Sequence, residues 1–454
     1  MNSQVRQLPS IDALLERYAA EGISREVLTE ILREAVAALR AEILKGTATD
    51  AGVLDERIQK ALAAAKAPFY RRAINATGII LHTGLGRAVL PEAAVEQIAA
   101  ELRGYSILQI DMETGERGRR DEGVERLLKL LTGAESATVV NNCAAATMLA
   151  LSAVAKGKEV IVSRGQLIEI GGEFRLPDVM AASGVRMVEI GTTNKTHLRD
   201  YQRAINENTG AIIRVHPSNY RIHGFTKAVS TAELVELARP LGIPVIDDLG
   251  AGALVDFSRF GFEKEPTIRE SIASGADLVL SSADKLIGGP QGGLILGGAK
   301  WVERCRKDPL ARMMRVDKVT LAALEATLRL FLDEPRAMQA VPTLAMLCKP
   351  LDELEATATR ICAGLGKLHC EASVEPDVGY MGGGSLPEDA LPSRVVVIRP
   401  RNMDAEALSA ALRKSTPSII ARIRHDAVIL DPRTLQAGEE EQIVAALNTV
   451  LRIL

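Results

Sequence analysis

The stretch DLVLSSADKLIGGPQGGLILG, residues 277–297, decides how this chain folds and where its chemistry lies. An apolar run typical of a β-strand ends in two serines, and Asp284 and Lys285 follow directly. A glycine-rich turn comes next, before a second apolar run begins at Leu294. A lysine on a tight turn between two buried strands is placed for chemistry rather than for solubility, and its small neighbours allow a planar molecule to approach the backbone.

Lys285 is therefore the first candidate for a functional residue. A desolvated, rigidly held lysine amine suits a Schiff base with the aldehyde of pyridoxal phosphate (PLP). The serines that precede it, including Ser282, can donate hydrogen bonds to a phosphate group. The alternative interpretation is a lysine that caps a surface hairpin.

The composition limits the class of protein. A chain of 454 residues with 47% hydrophobic residues can form two to four domains and a large core. A net charge of -3 argues against a generally basic protein that coats nucleic acid. Because only 3% of the residues are aromatic, any nucleic acid partner is expected to be held through its shape and phosphates rather than by base stacking.

Cysteine usage and hydropathy indicate the compartment. The five cysteines show no CxxC spacing, so neither a disulfide framework nor a metal site is predicted, and a reducing cytoplasm fits. The N-terminal residues lack the pattern of a signal peptide. No uncharged apolar run approaches the length that spans a membrane, so no membrane partner is expected.

The periodicity of apolar residues predicts an α/β protein with three domains. Helical spacing predicts a helical domain over residues 1–70, with Ser10 as the N-cap of its first helix. Residues 71–320 form a large domain in which strands and helices alternate, which predicts a mostly parallel sheet of seven strands. Residues 321–454 are predicted to be a small α+β domain, in which the glycine-rich residues 379–385 form a mobile linker or loop.

Ligands of such sheets lie beyond the carboxyl ends of the strands. The residues that the sequence places there are Asn141, Gln166, His216, Asp247 and Lys285. The carboxylate of Asp247 can pair with the protonated ring nitrogen of PLP and keep the ring an electron sink, whereas Asp248 is expected to point the other way. The alternatives are a helix N-cap for Asp247 and a structural histidine for His216.

Several segments suit an anion. Residues 141–147 combine amides and small side chains at a predicted helix N-terminus, which is a natural anion cradle. Arg87 follows a tight glycine loop, Arg119 lies in the loop GERGRR, and Arg312 and Arg315 are predicted one helical turn apart. Guanidinium groups bind phosphate and other oxyanions in a bidentate manner. The alternative for each arginine is a solvated surface charge.

Six segments carry a closer resemblance, in the order INATGIILHTGLGRAVLP, GERGRR, HPSNYRIHGF, IDDLGAGAL, SSADKLIGGPQGG and ARMMRVDK. Over its whole chain the protein resembles the bacterial selenocysteine synthases, the L-seryl-tRNA(Sec) selenium transferases. The resemblance includes the helical N-terminal domain, which shorter relatives that act on small molecules lack. It implies a fold-type I PLP-dependent transferase that forms a cytoplasmic homodecamer, a pentamer of dimers.

The resemblance also implies the reaction and the residue roles. Seryl-tRNA(Sec) would become selenocysteinyl-tRNA(Sec) through a PLP-bound aminoacrylyl-tRNA, with selenophosphate as donor, and the N-terminal domain would grip the D-arm of the tRNA. Lys285 would hold PLP, and Asp247 would face its ring nitrogen. The other cofactor-binding residues would be Asn142, Cys143, Ala144, Ser282 and His216. The selenophosphate pocket, shared between subunits, would be lined by Arg87, Arg119, Arg312 and Arg315.

Two other functions stay open on the sequence alone. One is a PLP-dependent lyase of a small amino or sugar acid, against which the N-terminal helical domain argues. The other is a non-catalytic tRNA-binding or scaffold protein, against which the intact Lys285, Asp247 and serines argue. The sequence does not identify the residues that contact the tRNA, the size of the oligomer, the role of Gln166 (where the family often has Glu) or the discrimination between selenium and sulfur donors.

Overall fold

The computed structural model describes residues 4–19, 21–47, 51–172, 174–262, 264–366 and 369–452. The chain divides into two compact units, Met1–Arg72 and Ala73–Leu454. Each unit has buried apolar clusters of its own. Within the described ranges, no helix has the length and apolar character needed to cross a membrane.

The first unit is helical. Its described part contains α1 (Ile11–Arg17), α2 (Arg25–Lys45) and α3 (Leu54–Lys66). The hydroxyl of Ser10 accepts a hydrogen bond from the backbone N–H of Ala13, which caps α1, and Ser24 caps α2 in the same way. Apolar side chains from all three helices form the core, among them Leu14, Leu32 and Ile58. The predicted helical N-terminal region and the N-cap at Ser10 are confirmed.

The second unit is built on a seven-stranded sheet. Up to residue 297, the second unit contains the strands β1 (Ala73–Asn75), β2 (Ser136–Val140), β3 (Glu159–Ser163), β4 (Glu169–Ile170), β5 (Phe174–Arg175), β6 (Arg186–Ile190), β7 (Thr209–Val215), β8 (Val245–Asp248), β9 (Leu278–Ser282) and β10 (Gly293–Gly297). The sheet has the order β2-β10-β9-β8-β7-β3-β6, and only β10 runs antiparallel to its neighbours. The predicted mostly parallel sheet is confirmed with all seven of its strands.

Helices cover both faces of this sheet. They are α4 (Glu92–Glu101), α5 (Glu122–Thr132), α6 (Cys143–Ala155), α7 (Leu176–Ala182), α8 (Leu198–Ala204), α9 (Thr231–Ala238), α10 (Ile268–Ala273), α11 (Ala299–Lys307), α12 (Pro309–Met313), α13 (Lys318–Leu330), α14 (Glu334–Ala340) and α15 (Pro342–Cys348). The central strands β9 and β10 are buried along their whole length. Because both faces are covered, these strands read as continuous apolar runs in the sequence.

The C-terminal part adds a second, smaller layer. Its elements are α16 (Leu351–Leu365), β11 (Cys370–Gly382), β12 (Ser385–Pro400), α17 (Ala405–Lys414), β13 (Ser418–Ile420), β14 (Arg422–Arg424), β15 (Ala427–Leu430) and α18 (Glu439–Arg452). The antiparallel sheet β11-β12-β15-β14 packs against α16, α17 and α18. The short strand β1 pairs with β13, so the chain just after residue 72 belongs to this layer.

The glycine-rich residues 379–385, expected as a mobile linker or loop, form the end of β11 and the tight turn into β12. Gly382, Gly383 and Gly384 all have positive φ, a conformation that glycine adopts without a steric penalty. A Cβ on Gly383 would lie 2.9 Å from the Cβ of Leu81. The hairpin turn therefore packs closely on the chain that leads to Arg87.

Candidate active site

Lys285 lies in the turn between the antiparallel neighbours β9 and β10, on the side of the sheet where β8 and β9 end. Its side chain is almost fully buried. Burial lowers the pKa of the Lys285 amine, and the nearby guanidinium of Arg87 acts in the same direction, while neighbouring acidic groups oppose the shift. A lysine amine with a lowered pKa is more often neutral, and the neutral amine is the nucleophilic form.

Two consecutive aspartates at the end of β8 point to opposite faces of the sheet, as strand geometry requires. Asp248 accepts a hydrogen bond from the Thr147 hydroxyl at 2.7 Å, and the thiol of Cys143 lies 3.9 Å from its Oδ1. Burial raises the pKa of Asp248, and the charge of Lys285 opposes that shift. Asp248 therefore shares the space around Lys285.

Asp247 points away from Lys285, which contradicts the orientation expected from the sequence. Its Oδ1 lies 2.7 Å from Nη1 of Arg214. Its Oδ2 accepts hydrogen bonds from the hydroxyls of Thr231 and Ser271. The physical reason is the alternation along β8: the residue that faces α6 is the second aspartate of the pair, and the first faces α9 and α10.

The N-terminus of α6 borders the same space. The side chain of Asn142 caps the helix, since its Oδ1 accepts a hydrogen bond from the Ala145 N–H at 2.8 Å. Cys143 and Ala144 form the first turn and are half-buried. A Cβ on Gly293 would lie 2.0 Å from the carbonyl oxygen of Asn142, so only glycine allows β10 to approach this turn. Burial raises the pKa of the Cys143 thiol well above its usual value.

Arg87 and Asp284 form an ion pair next to Lys285. Nη1 of Arg87 lies 2.7 Å from Oδ2 of Asp284, and the hydroxyl of Ser282 donates to Oδ1 at 2.6 Å. Asp284 is buried, and Arg87 adopts a left-handed backbone conformation with φ 64°. The sequence analysis did not single out Asp284 or Asp248 as site residues, although each stands directly beside a residue that it did select.

His216 and Gln166 hold the strand ends next to this site. Nε2 of His216 lies 2.5 Å from Oε2 of Glu265, which also pairs with Arg221. The Oε1 of Gln166 accepts a hydrogen bond from the backbone N–H of Val215 at 3.1 Å. Gln166 therefore fixes the end of β7, and the backbone N–H of His216 donates to the carbonyl of Asp248.

A cavity of about 550 Å³ near the end of β2 is lined by several arginines. Its cationic lining includes Arg117, Arg119, Arg120, Arg312 and Arg315. Burial, followed by the charges of Arg315 and Arg312, lowers the pKa of Arg120. The helix α12 ends at Met313, so Arg315 lies beyond it and not one helical turn along it. Arg87 lies apart from this lining, beside Asp284.

The arginine cavity is joined to the Lys285 site through β2. Arg315 bridges Val140, the last residue of β2, and the backbone N–H of Asn141 donates to the carbonyl of Met314 at 3.0 Å. Asn142 then begins α6 at the Lys285 site. One short segment therefore links the two groups of predicted site residues.

The residues around Lys285 fit pyridoxal phosphate. The amine of Lys285 can take the aldehyde, the carboxylate of Asp248 can take the ring nitrogen, and the N-terminus of the long helix α6 can take the phosphate. The buried Oδ1 of Asn219 has no hydrogen-bond partner among the residues that the structure describes. A Cβ on Gly384 would lie 3.4 Å from Cβ of Asn219 and 4.0 Å from Nζ of Lys285, so Gly384 borders both residues.

The fold and the site define a fold-type I enzyme that depends on PLP. A solved structure of D-glucosaminate-6-phosphate ammonia-lyase is similar to this chain with a TM-score of 0.57, covering 85% of this chain and 96% of that one. The two sequences are 22% identical, and the likeness shows the fold.

The family model described as SelA, L-seryl-tRNA selenium transferase, matches residues 73–436, and the chain belongs to this family. The L-seryl-tRNA(Sec) selenium transferase of Solidesulfovibrio magneticus is 48% identical, covering 98% of this chain and 97% of that protein. The protein of the same name from Alkaliphilus metalliredigens is 46% identical, covering 98% of both. The one from Moorella thermoacetica is also 46% identical, covering 98% of this chain and 97% of that protein.

Proposed function

We propose that this chain converts L-seryl-tRNA(Sec) to L-selenocysteinyl-tRNA(Sec) with selenophosphate as the selenium donor. The observation that carries the proposal is the buried amine of Lys285 between Asp248 and the N-terminus of α6. A family model that spans residues 73–436 supports the choice of substrate.

Lys285, Asp248 and the first turn of α6 would hold the cofactor by its aldehyde, ring nitrogen and phosphate. Asp248 replaces Asp247 in the role expected from the sequence, because Asp247 is bound to Arg214 on the other face. When bound, the cofactor supplies an electron sink for the electron pair left at Cα of the seryl group.

The protein's own groups then move the protons. Lys285 is the base for the Cα proton, because its lowered pKa keeps part of the amine neutral. Arg87 and Asp284 border that amine and hold the turn in place. Over the whole reaction the seryl β-hydroxyl is exchanged for selenium at Cβ, and the phosphoryl group of the donor leaves as phosphate.

The arginine cavity is the proposed site for selenophosphate. Arg119, Arg312 and Arg315 line this cavity, and guanidinium groups can bind phosphate oxygens in a bidentate manner. Arg119 is paired with Glu125, which orients its guanidinium. Arg87, beside Lys285, is proposed to contact the donor where selenium meets Cβ.

We also propose that the cavity is shared between subunits of a cytoplasmic homodecamer, a pentamer of dimers. Next to Arg119 the chain exposes four large apolar side chains, a patch of the kind that mediates protein–protein contacts. They are Tyr105, Ile107, Ile110 and Met112. A second copy seated on this patch would complete the wall of the arginine cavity.

We propose that the helical residues 1–70 bind the D-arm of the tRNA. This unit has its own apolar core, so it can present a fixed surface to a large substrate. Residues 71–320 are proposed as the catalytic domain and residues 321–454 as the small domain, with the difference that the sequence boundary falls inside α13 (Lys318–Leu330) and the smaller layer of the structure begins at α16 (Leu351–Leu365).

The experiment that tests the function follows the visible absorption of the purified holoprotein. Seryl-tRNA(Sec) is added to one cuvette and free serine to another. We expect the cofactor band to shift with the charged tRNA only. A shift with free serine and none with the tRNA would contradict the selenium function and point to a lyase of small amino acids.

A further inference from the structure

Asp247 lies at the end of β8 on the face opposite to Asp248 and is enclosed by donors. Nη1 of Arg214 lies 2.7 Å from its Oδ1, and the hydroxyls of Thr231 and Ser271 donate to its Oδ2 at 2.9 and 2.5 Å. The residue is only 1% exposed. Asp248 has a role in the reaction proposed above, whereas the fully hydrogen-bonded carboxylate of Asp247 has none.

The three donors come from three different elements. Arg214 belongs to β7, Thr231 is the first residue of α9, and Ser271 belongs to α10. Their hydrogen bonds tie the end of β8 to its surroundings one residue before Asp248. Because the side chain of Asp247 is held in this way, the backbone at the end of β8 is restricted. This backbone sets the direction in which the side chain of Asp248 points.

The same cluster also sets the charge behind Asp248. The negative charge of Asp247 is one of the factors that raise the pKa of Asp248, after burial as the main cause. Arg214 carries the opposite charge at 2.7 Å from Asp247. Opposite charges this close cancel most of each other's field at a third group.

We infer that Arg214 and Asp247 form a positioning pair for Asp248: the pair fixes the end of β8 and neutralises the charge behind it, so that Asp248 stays ionised opposite the cofactor's ring nitrogen. The inference rests on the proposed function, in which Asp248 takes that role. Asp247 and Arg214 touch neither substrate nor cofactor and act through Asp248.

The other titratable groups near the pair and Asp248 are few. On the side of Asp248, α6 contributes Cys143 and the β9–β10 turn contributes Lys285. On the side of Arg214, α8 contributes Tyr201, whose pKa burial raises to about 12. Cys143 also has a raised pKa and stays a neutral thiol. Of the neighbouring charges, Lys285 and Asp247 act on Asp248 itself, Arg214 lies against Asp247, and Arg87 and Asp284 act on Lys285.

The two members of the pair must act in opposite directions. Arg214→Met leaves the negative charge of Asp247 uncompensated, which makes Asp248 harder to ionise and raises its pKa. Asp247→Asn leaves the positive charge of Arg214 uncompensated, which lowers the pKa of Asp248. The double variant removes both charges and should return Asp248 to its original behaviour. If the pair had only a structural role, the single variants would weaken the protein, but they would not shift the pKa of Asp248 in opposite directions.

The test measures the dissociation constant of PLP for the full-length, cofactor-free protein by equilibrium dialysis from pH 5 to pH 9. Acidification protonates Asp248 and weakens binding at a midpoint pH. We expect Arg214→Met to move this midpoint up and Asp247→Asn to move it down, each by about half a pH unit or more. The double variant and Arg214→Lys should keep the wild-type midpoint, and so should Thr231→Val, which removes a neutral donor.

Shifts of both single variants in the same direction, or no shift in either, would overturn the inference. If a single variant fails to fold, the double variant and Arg214→Lys carry the test, because a moved midpoint in either contradicts the pair. Asp248→Asn separates the two proposals. If it keeps wild-type affinity at every pH, the role of Asp248 in the proposed function is wrong; if it loses affinity while the pair variants do not shift, only the pair is wrong.

Discussion

Among the described residues, the buried Lys285 and the partly buried Lys349 both have a pKa that burial lowers, and their surroundings differ. Nζ of Lys349 donates to the backbone carbonyls of Pro432 and Leu435, at 3.3 and 2.6 Å, so its hydrogen bonds go to the main chain. The amine of Lys285 lies among side chains that carry charge or a thiol, at the open end of a sheet. Burial alone therefore does not distinguish the catalytic candidate, whereas the chemistry of the neighbours does.

We predict that Lys285→Ala abolishes selenium transfer while tRNA binding survives, because the variant removes the proton-moving amine and leaves the surface unchanged. Activity should fall by at least about a thousandfold. The measurements are selenocysteinyl-tRNA formation and a filter-binding assay with seryl-tRNA(Sec). Lys349→Ala is the matched control, because Lys349 is a partly buried lysine whose loss should leave the cofactor band in place. Retained turnover in Lys285→Ala would contradict the assignment.

For the arginine cavity, we predict that Arg312→Ala weakens the use of selenophosphate more than the loss of the seryl hydroxyl. Removing one charged donor to a phosphate oxygen should raise KM for selenophosphate about ten- to a hundredfold. The two steps are measured separately. Selenium incorporation follows the second step, and the release as water of a label on the seryl hydroxyl follows the first. Lys307, on the rim of the same cavity but paired with Glu303, provides the control variant Lys307→Ala. Equal loss of both steps would count against the proposed role.

The pair Asp247 and Asp248 shows what sequence reasoning can reach at this scale. The end of a buried strand was correctly located, and a carboxylate was correctly expected there. Which of two adjacent aspartates faces Lys285 depends on the register of β8 against β7 and β9, which no local pattern records. Asp284 could not be predicted for a similar reason, because its importance comes from its contact with Arg87, which lies 197 residues away in the chain.

At the scale of elements, the site depends on the close approach of β10 to the start of α6. The turn into α6 leaves the backbone N–H groups of Cys143 and Ala144 at the helix N-terminus, where a phosphate is favoured by the helix dipole. The absence of a side chain at Gly293 is what permits this approach. The glycine run of the turn is thus a packing requirement of the cofactor site.

We predict that Gly293→Ala lowers the affinity for PLP and destabilises the protein by about 1 to 3 kcal/mol. The added Cβ would lie 2.0 Å from the carbonyl oxygen of Asn142, so the start of α6 must move. The control is Gly292→Ala one residue earlier, whose Cβ would meet its nearest neighbour at an ordinary 3.5 Å. Thermal unfolding and PLP titration check both variants, and equal behaviour of the two would contradict this explanation.

Elements buried on both faces were predictable, and half-exposed ones were less so. Strands β2, β9 and β10 are buried at every position and appear in the sequence as runs of apolar and small residues, whereas the edge strand β6 is largely exposed. Strand β11 carries glutamate, aspartate and a proline and is buried at few positions, so its sequence resembles a loop. Three consecutive glycines predict a mobile linker or loop as readily as they predict a tight turn with positive φ, so the sequence alone does not identify the hairpin.

At the scale of the whole molecule, the chain combines a small helical unit with a much larger one that carries the candidate site. The residues that surround Lys285 and those that line the arginine cavity belong to the larger unit. Its acidic and basic residues are nearly equal in number, so its proposed affinity for tRNA cannot come from overall charge. Recognition would have to rest on shape and on a few placed cations.

This separation leads to the prediction that a protein of residues 73–454 keeps its cofactor and loses its large substrate. The second unit begins with β1, which is paired within that unit, so the cut at residue 72 leaves no strand without its partner. We expect an unchanged PLP band and an affinity for seryl-tRNA(Sec) lower by about a hundredfold or more, since the phosphate and shape contacts of a whole module are removed. Filter binding measures the affinity, and selenophosphate-dependent turnover of a short seryl-acceptor-stem RNA tests whether the chemistry survives. Because a small-molecule lyase would be indifferent to the cut, unchanged affinity for the tRNA would remove the reason for assigning residues 1–70 to substrate binding, and loss of the PLP band would show that the two units are not independent.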